Sequence, residues 1–173
     1  MVYLLLGAGY ETTAGLIGNA TLALFEHPEQ RAMLEGDPSL LPGAVEELIR
    51  YDGSVDRAVG RLATEDVELR GRTIGRGESV TVFLASPTAT QTGSRTPDAL
   101  DLAGEGQTRY LGFGHGPHFC LGAPLARLET EIALATLLRR LPGLRLAVAE
   151  NELRRYPAGF IRRFDAVPVA WDT

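Results

Sequence analysis

The pattern of apolar and polar positions predicts a helix-rich chain. Residues 1–26 are apolar nearly all round, as in a buried helix, and this helix should end before Pro28. Shorter helices are predicted over 28–35 and 43–51, each opened by a proline at or near its start. The clearest helix covers 123–141, and it carries one apolar stripe made of Leu125, Leu128, Ile132, Leu138 and Leu141.

Between residues 59 and 84 the period changes to the alternation that is typical of strands. Val67 and Leu69 alternate with polar residues, and so do Val80, Val82 and Leu84, with glycine-containing turns between them. Residues 86–109 show neither period and predict a long loop, while 144–171 suggests short strands. The predicted fold class is mainly α with a small antiparallel β unit.

Composition and charge narrow the class of protein. The chain has 173 residues, 45% of them hydrophobic, and a net charge of −5, which suits one domain and disfavours a nucleic-acid partner. The apolar start is too short to span a bilayer and lacks the basic leader of a signal peptide, so no membrane partner is expected. A single cysteine excludes an internal disulfide and fits a reducing compartment, so we expect a cytoplasmic protein.

That cysteine, Cys120, lies in a run with the chemistry of a heme-thiolate loop. A heme thiolate needs backbone N–H donors and small neighbours, and Gly114, Gly116 and Gly122 leave room for a porphyrin close to the loop. The helix that begins at Ala123 directs its positive end back toward the sulfur, which favours thiolate over thiol. Phe113 can pack beneath the ring, and His118 or His115 can reach a propionate.

Two other interpretations of Cys120 compete with the heme ligand. A lone cysteine is more often a buried structural residue. The spacing F-x-x-G-x-x-x-C-x-G, running directly into a helix, is more specific than a cysteine count and favours the heme ligand. A zinc site is disfavoured because His27 lies far away along the chain and no metal-ligand spacing is present.

The stretch 113–123 strongly resembles the heme-binding loop of the soluble bacterial cytochromes P-450. The resemblance implies that Cys120 is the axial ligand of a heme b iron, and that the thiolate pushes electron density toward the iron and favours O–O cleavage, as is established for that family. It also implies a set of residues that contact the cofactor: Ala8, Gly9, Arg61, Phe113, Gly114, His118 and Gly122.

A second motif, residues 7–13, matches the oxygen-activating segment on the long central helix of that family. Ala8 and Gly9 let the helix pass close over the porphyrin, and the Thr12 hydroxyl can compete for a backbone carbonyl and open the helix locally. The resemblance makes Glu11 and Thr12 the catalytic pair for proton delivery. The alternative is a tight helix contact followed by a solvent-facing Glu-Thr-Thr.

Three further points follow the order of the family. Glu47 and Arg50 lie at i and i+3 on one helix face; the common alternative is a weak surface pair, but the resemblance implies a buried pair that stabilises the heme-side core. Arg61 stands where the family binds a heme propionate, although a free surface arginine is equally compatible with its position. The segment at Phe160-Ile161 resembles a turn that touches substrate.

The resemblance implies the C-terminal portion of the family fold, truncated within the central helix, so that 1–173 would be a single incomplete domain. Synonymous codons can be chosen for residues 87–96 that, read one base earlier, encode Ala-Asn-Arg-Asp-Pro-Asp-Arg-Phe-Ala-Asp, which resembles the family loop. We hypothesise a shifted reading frame in this segment, which resequencing of the locus would test. As written, the loop arginine of the family falls at Gly93, and the Glu47–Arg50 pair would lack a partner.

The functional prediction is a heme-dependent monooxygenase that inserts one oxygen atom of O2 into a small apolar substrate. Its electrons would come from a ferredoxin or flavodoxin-type donor, attracted by a basic face of Arg109, Arg127, Arg139 and Arg140. The alternative is a truncated, frameshifted, non-catalytic remnant with weak or no heme binding.

Overall fold

Four helices dominate the part of the chain that the computed structural model describes, residues 2–84, 99–104, 110–157 and 159–173. They are α1 (Val2–Glu26), α2 (Pro28–Gly36), α3 (Leu41–Asp52) and α4 (Ala123–Arg140). All four were predicted, and α3 begins two residues earlier than expected because Pro42 occupies its first turn rather than preceding it. None of the described helices combines the length and the apolar character needed to cross a bilayer.

Six short strands form three antiparallel pairs in the described residues. The pairs are β1 (Arg61–Leu62) with β4 (Ser79–Val80), β2 (Val67–Leu69) with β3 (Arg72–Ile74), and β5 (Arg145–Leu146) with β6 (Val169–Ala170). The predicted β unit is therefore confirmed. The β1–β4 ladder ends at Val80, but an isolated antiparallel bridge then joins Phe83 to Arg57, and Val67 and Leu69 are exposed. The alternation in this segment marks strands without marking a buried face.

The core lies where α1, α3 and α4 pack together. Most of its side chains are leucine or alanine at helical spacing, which lets the helix axes approach closely. Two of its members, Leu100 and Leu102, come from the segment that the sequence predicted as a loop. The central buried residues are Leu16, Ala20, Leu24, Leu34, Ala44, Val45, Leu48 and Leu134.

The apolar stripe predicted for α4 faces this core only in part: Leu138 packs against it, whereas the N-terminal half of the stripe does not. The helix buries Ala123, Thr130 and Leu134 instead. Leu125, Leu128 and Ile132 are 59%, 52% and 56% exposed, and Leu121 just before the helix is exposed as well. These four residues are called the α4 stripe below. The sequence pattern located an apolar face correctly but could not say what that face contacts.

Candidate functional site

The segment that precedes α4 folds into a tight loop. One turn of 3-10 helix, Gly116–His118, turns the chain back, and the Cys120 N–H donates to the Phe113 carbonyl at 2.9 Å. Gly114 and Gly116 have φ angles of +77° and +74°, a region that side-chain-bearing residues rarely adopt. The loop therefore requires glycine at these positions, and its closure leaves the Cys120 thiol exposed directly before α4.

The surroundings of the Cys120 sulfur fit a thiolate ligand to a heme iron. No backbone carbonyl of the described residues accepts from the N–H groups of Leu121 and Gly122, which follow Cys120 directly in the chain at the N-terminal end of α4. Free N–H groups at a helix N-terminus stabilise a thiolate. A Cβ at Gly122 would lie 3.8 Å from the sulfur, and the neighbouring Phe119 side chain is half-exposed and apolar. The donor set and the open apolar surface both suit a porphyrin.

The segment of α1 that was expected to approach the cofactor, residues 7–9, is exposed and carries no large side chain. Gly7, Ala8 and Gly9 face solvent, and a Cβ built at either glycine meets no atom within 4 Å. The Thr12 hydroxyl donates to the Ala8 carbonyl at 2.6 Å. The helix nevertheless continues without interruption, so the local opening expected at Thr12 is not present; a carbonyl oxygen has two lone pairs and accepts both bonds. Glu11, beside it, is partly exposed.

Glu47 and Arg50 form a buried, two-pronged ion pair. Arg50 Nε lies 2.6 Å from Glu47 Oε2 and Nη2 lies 2.7 Å from Oε1, while the two side chains are 5% and 13% exposed. This geometry is far from the weak surface pair that the i, i+3 spacing most often produces.

The unusual residues 87–96 led us to expect that the pair would lack a partner. The structure contradicts this expectation. Arg50 Nη2 donates to the Ala99 carbonyl at 2.7 Å, and Glu47 Oε1 accepts the Asp101 N–H at 3.1 Å. Backbone groups of the segment 99–104 thus bind both members of the pair. Residues 87–96 themselves lie outside the described residues.

A second polar cluster, which the sequence did not predict, lies next to the Cys120 loop. Arg127 and the Tyr110 hydroxyl both donate to the Glu46 carboxylate. Burial and the contact with Glu46 raise the pKa of Tyr110, so its hydroxyl remains a donor. Arg127 had been placed on a basic face for an acidic electron donor, but its charge is directed into this cluster instead. The only sequence signal for this cluster was the pair of adjacent acidic residues, Glu46 and Glu47.

The remaining predicted site residues lie at the surface. Arg61 is exposed on β1, where its Nη1 donates to the Val59 carbonyl at 3.2 Å. His118, Phe160 and the α4 residues Arg139 and Arg140 are exposed too. The structure does not join Arg61 and His118 to one another or to Cys120 by any contact within the described residues. Arg109 lies outside those residues.

A polar cleft of about 270 Å³ lies between the C-terminal half of α1 and the end of α3. Glu26, Asp52, Arg155 and Arg162 line it together with the buried Asn19. Burial raises the pKa of Asp52, although Arg162 at 2.7 Å acts in the opposite direction. Asn19 Nδ2 donates to the Asp52 and Arg162 carbonyls at 3.1 and 3.0 Å, so it ties α1 to both segments.

Comparison with protein families gives a match between residues 38–142 and the family described as Cytochrome P450. These residues make up more than half of the chain and include α3, the Cys120 loop and α4. The chain belongs to the cytochrome P450 family. Membership implies a heme cofactor, which is the group that the loop geometry fits.

Individual relatives extend the similarity to nearly the whole chain. The cytochrome P450 monooxygenase PikC of Streptomyces venezuelae is 48% identical, covering 99% of this chain and 41% of the relative. The vitamin D3 dihydroxylase of Streptomyces griseolus is 46% identical, covering 97% and 41%. The crystal structure of CalO2 superimposes with a TM-score of 0.94 at 38% identity, covering 99% of this chain and 43% of that one.

The chain thus spans about two fifths of the length of these relatives. It corresponds to a C-terminal portion of the P450 fold, mainly α with small antiparallel pairs, which confirms the predicted fold class and family.

Proposed function

We propose that this chain is the heme-binding portion of a monooxygenase that inserts one oxygen atom of O2 into a small apolar substrate. The observation that carries the proposal is Cys120, exposed on a glycine-shaped loop immediately before α4, within the segment that matches the family. PikC, which is similar to this chain over nearly all of its 173 residues, is named a monooxygenase. Residues 1–173 would form a single incomplete domain of that enzyme.

Each proposed contact with heme b uses a feature of the loop. Cys120 would ligate the iron, and the N–H groups of Leu121 and Gly122, which no described backbone carbonyl accepts, would be available to stabilise the thiolate. Phe113 would contact the porphyrin, and Gly114 and Gly122 leave the space that it would need. The exposed His118 turn brings a donor to a propionate.

The remaining cofactor contacts come from outside the loop. Arg61, exposed on β1, is proposed to pair with the other propionate. The bare surface at Ala8 and Gly9 would allow α1 to contact the porphyrin closely.

Proton delivery is assigned to Glu11 and Thr12. A thiolate-ligated heme supplies dioxygen activation when it is bound. The Thr12 hydroxyl proton is held by the Ala8 carbonyl, so its oxygen is left to accept a hydrogen bond from a water molecule. Glu11, partly exposed on the next position of α1, is placed to exchange a proton with solvent.

The electron donor is proposed to be an acidic ferredoxin or flavodoxin-type protein. Arg139 and Arg140 are exposed at the end of α4 and provide positive charge for it. Arg127 contributes less because Glu46 compensates its charge. A cytoplasmic location stays a prediction.

Heme ligation is tested by titrating the 173-residue chain with hemin, reducing it, adding carbon monoxide and recording the Soret band. We expect a red-shifted, thiolate-type band that is lost in Cys120→Ser. The matched control places the thiol elsewhere: Ser39→Cys in the Cys120→Ser background, at an exposed position, should not restore the band. Oxygen insertion is then assayed with a ferredoxin, its reductase and NADPH.

A folded wild-type chain that takes up no heme would contradict the proposal. It would support the alternative, a non-catalytic remnant.

A further inference from the structure

Three side chains from different parts of the chain meet beside the Cys120 loop. Glu46 comes from α3, Arg127 from the second turn of α4, and Tyr110 from the segment that leads into the loop. Arg127 Nε and the Tyr110 hydroxyl donate to Glu46, and Arg127 Nη2 lies 3.2 Å from Glu46 Oε2 and 3.1 Å from the Tyr110 oxygen. Each member therefore contacts both of the others. We call Glu46, Arg127 and Tyr110 the loop clamp.

The loop clamp reaches the cysteine through one residue, Phe113. The Arg127 guanidinium carbon lies 4.6 Å from the centroid of the Phe113 ring, within the range of a cation–π interaction. The same ring stands 6.3 Å from the rings of Tyr110 and Phe119, at tilted angles. The Phe113 carbonyl accepts the Cys120 N–H at 2.9 Å. A shift of the Phe113 ring would thus move the backbone that holds Cys120.

We infer that the loop clamp positions the Cys120 thiolate for metal ligation, by fixing Phe113 against both α3 and α4. The inference rests on the proposed heme binding, because it names the residues that hold the ligand loop for that purpose. Arg127 is a positioning residue in this arrangement. Its planar guanidinium is required, since it must bind a carboxylate with one edge while stacking on a ring with its face.

The first test measures the loop in the heme-free chain. Hydrogen exchange of the Cys120 amide is compared with that of amides in the buried half of α1, so that global unfolding is separated from loop opening. In Arg127→Gln we expect Cys120 exchange to accelerate about tenfold relative to α1, and in Tyr110→Phe by a smaller factor. Arg127→Lys keeps the charge but loses the planar stack, so partial rescue is expected.

The matched control is Arg145→Gln. It removes an exposed arginine of β5 that pairs with Asp172, and it should leave the exchange rate of the Cys120 amide unchanged. Equal exchange of Cys120 in Arg127→Gln and this control would overturn the inference. Equal acceleration of Cys120 and α1 would overturn it too, because a loop clamp predicts a local effect.

The second test uses the heme-loaded chain. The thiolate-type share of the reduced, carbon monoxide-bound spectrum should fall by about half or more in Arg127→Gln and be partly regained in Arg127→Lys. An unchanged share would count against the inference. If the wild type binds no heme while Arg127→Gln still loosens the loop selectively, the proposed function fails, and the loop clamp stands only as a restraint on the Cys120 loop.

Discussion

Replacing Arg50 by methionine, a side chain of comparable length without charge, leaves the Glu47 carboxylate buried without its cation. Glu47 is only 13% exposed, and solvent cannot easily take the place of the guanidinium. The substitution should therefore destabilise the chain strongly, although the two residues lie one helical turn apart on α3, where ion pairs are normally weak.

The magnitude follows from the contacts that are lost. Arg50 binds both oxygens of Glu47 at 2.6 and 2.7 Å and the Ala99 carbonyl at 2.7 Å. Removing one partner of a buried pair typically costs about 3–5 kcal/mol. Because Glu47 keeps the Asp101 N–H as a donor and some access to water, we expect about 3 kcal/mol, at the lower end of that range.

The assay is urea unfolding followed by far-UV circular dichroism. Arg145→Met serves as the control, since Arg145 and Asp172 are 57% and 68% exposed and their pair should be worth less than about 1 kcal/mol. The double variant Glu47→Leu/Arg50→Met removes both charges and should be at least about 1 kcal/mol more stable than the sum of the two single variants predicts. A loss in Arg50→Met no larger than in the control, or strict additivity in the double variant, would refute the reasoning.

Three further predictions concern other parts of the chain. The pKa of Asp52 is raised by burial, so its contribution to stability is present below the ordinary value of 3.8 and is lost as the pH rises through the raised pKa. Asp52→Asn should therefore gain stability relative to wild type as the pH rises above 3.8, measured as urea midpoints across pH with Asp172→Asn as the baseline; a difference that falls with pH contradicts this. Leu134→Ala should cost about 2–5 kcal/mol of unfolding free energy and Ile132→Ala less than about 1 kcal/mol, because only the first side chain is buried; equal losses would place the core face of α4 wrongly. Finally, Cys120 is the chain's one thiol and is exposed, so its reaction with a disulfide reagent should slow about tenfold or more when heme is bound, and an unchanged rate would show that the sulfur is not the ligand.

The helices could be predicted because their boundaries are set by local chemistry. Pro28 stops α1 and starts α2, and the change from a 3.6-residue to a two-residue period marks the β unit after α3. The shape of the Cys120 loop was equally accessible, because its glycines and the helix that follows it are neighbours in the sequence. Local signals of this kind do not depend on what the rest of the chain does.

Contacts between distant segments were not accessible in the same way. The backbone partners of the Glu47–Arg50 pair at Ala99 and Asp101 lie about fifty positions along the chain, and backbone groups carry no sequence signature. The partner of Arg127 was missed for a related reason: a basic residue on a helix surface looks the same whether it faces a partner protein or a carboxylate of its own chain. The face of α4 that packs against the core was predicted only in part, because an apolar stripe is buried only where another element covers it.

The exposed α4 stripe has a practical consequence for the behaviour of this chain in solution. Leu121, Leu125, Leu128 and Ile132 offer a row of branched side chains to water, and a net charge of −5 gives only modest repulsion between molecules. Light scattering should therefore detect association that grows with protein concentration and with added sulfate, and the replacement of Leu125 and Ile132 by glutamate should suppress it. The working concentration for every spectroscopic and unfolding experiment on this chain is set by the α4 stripe rather than by the Cys120 loop.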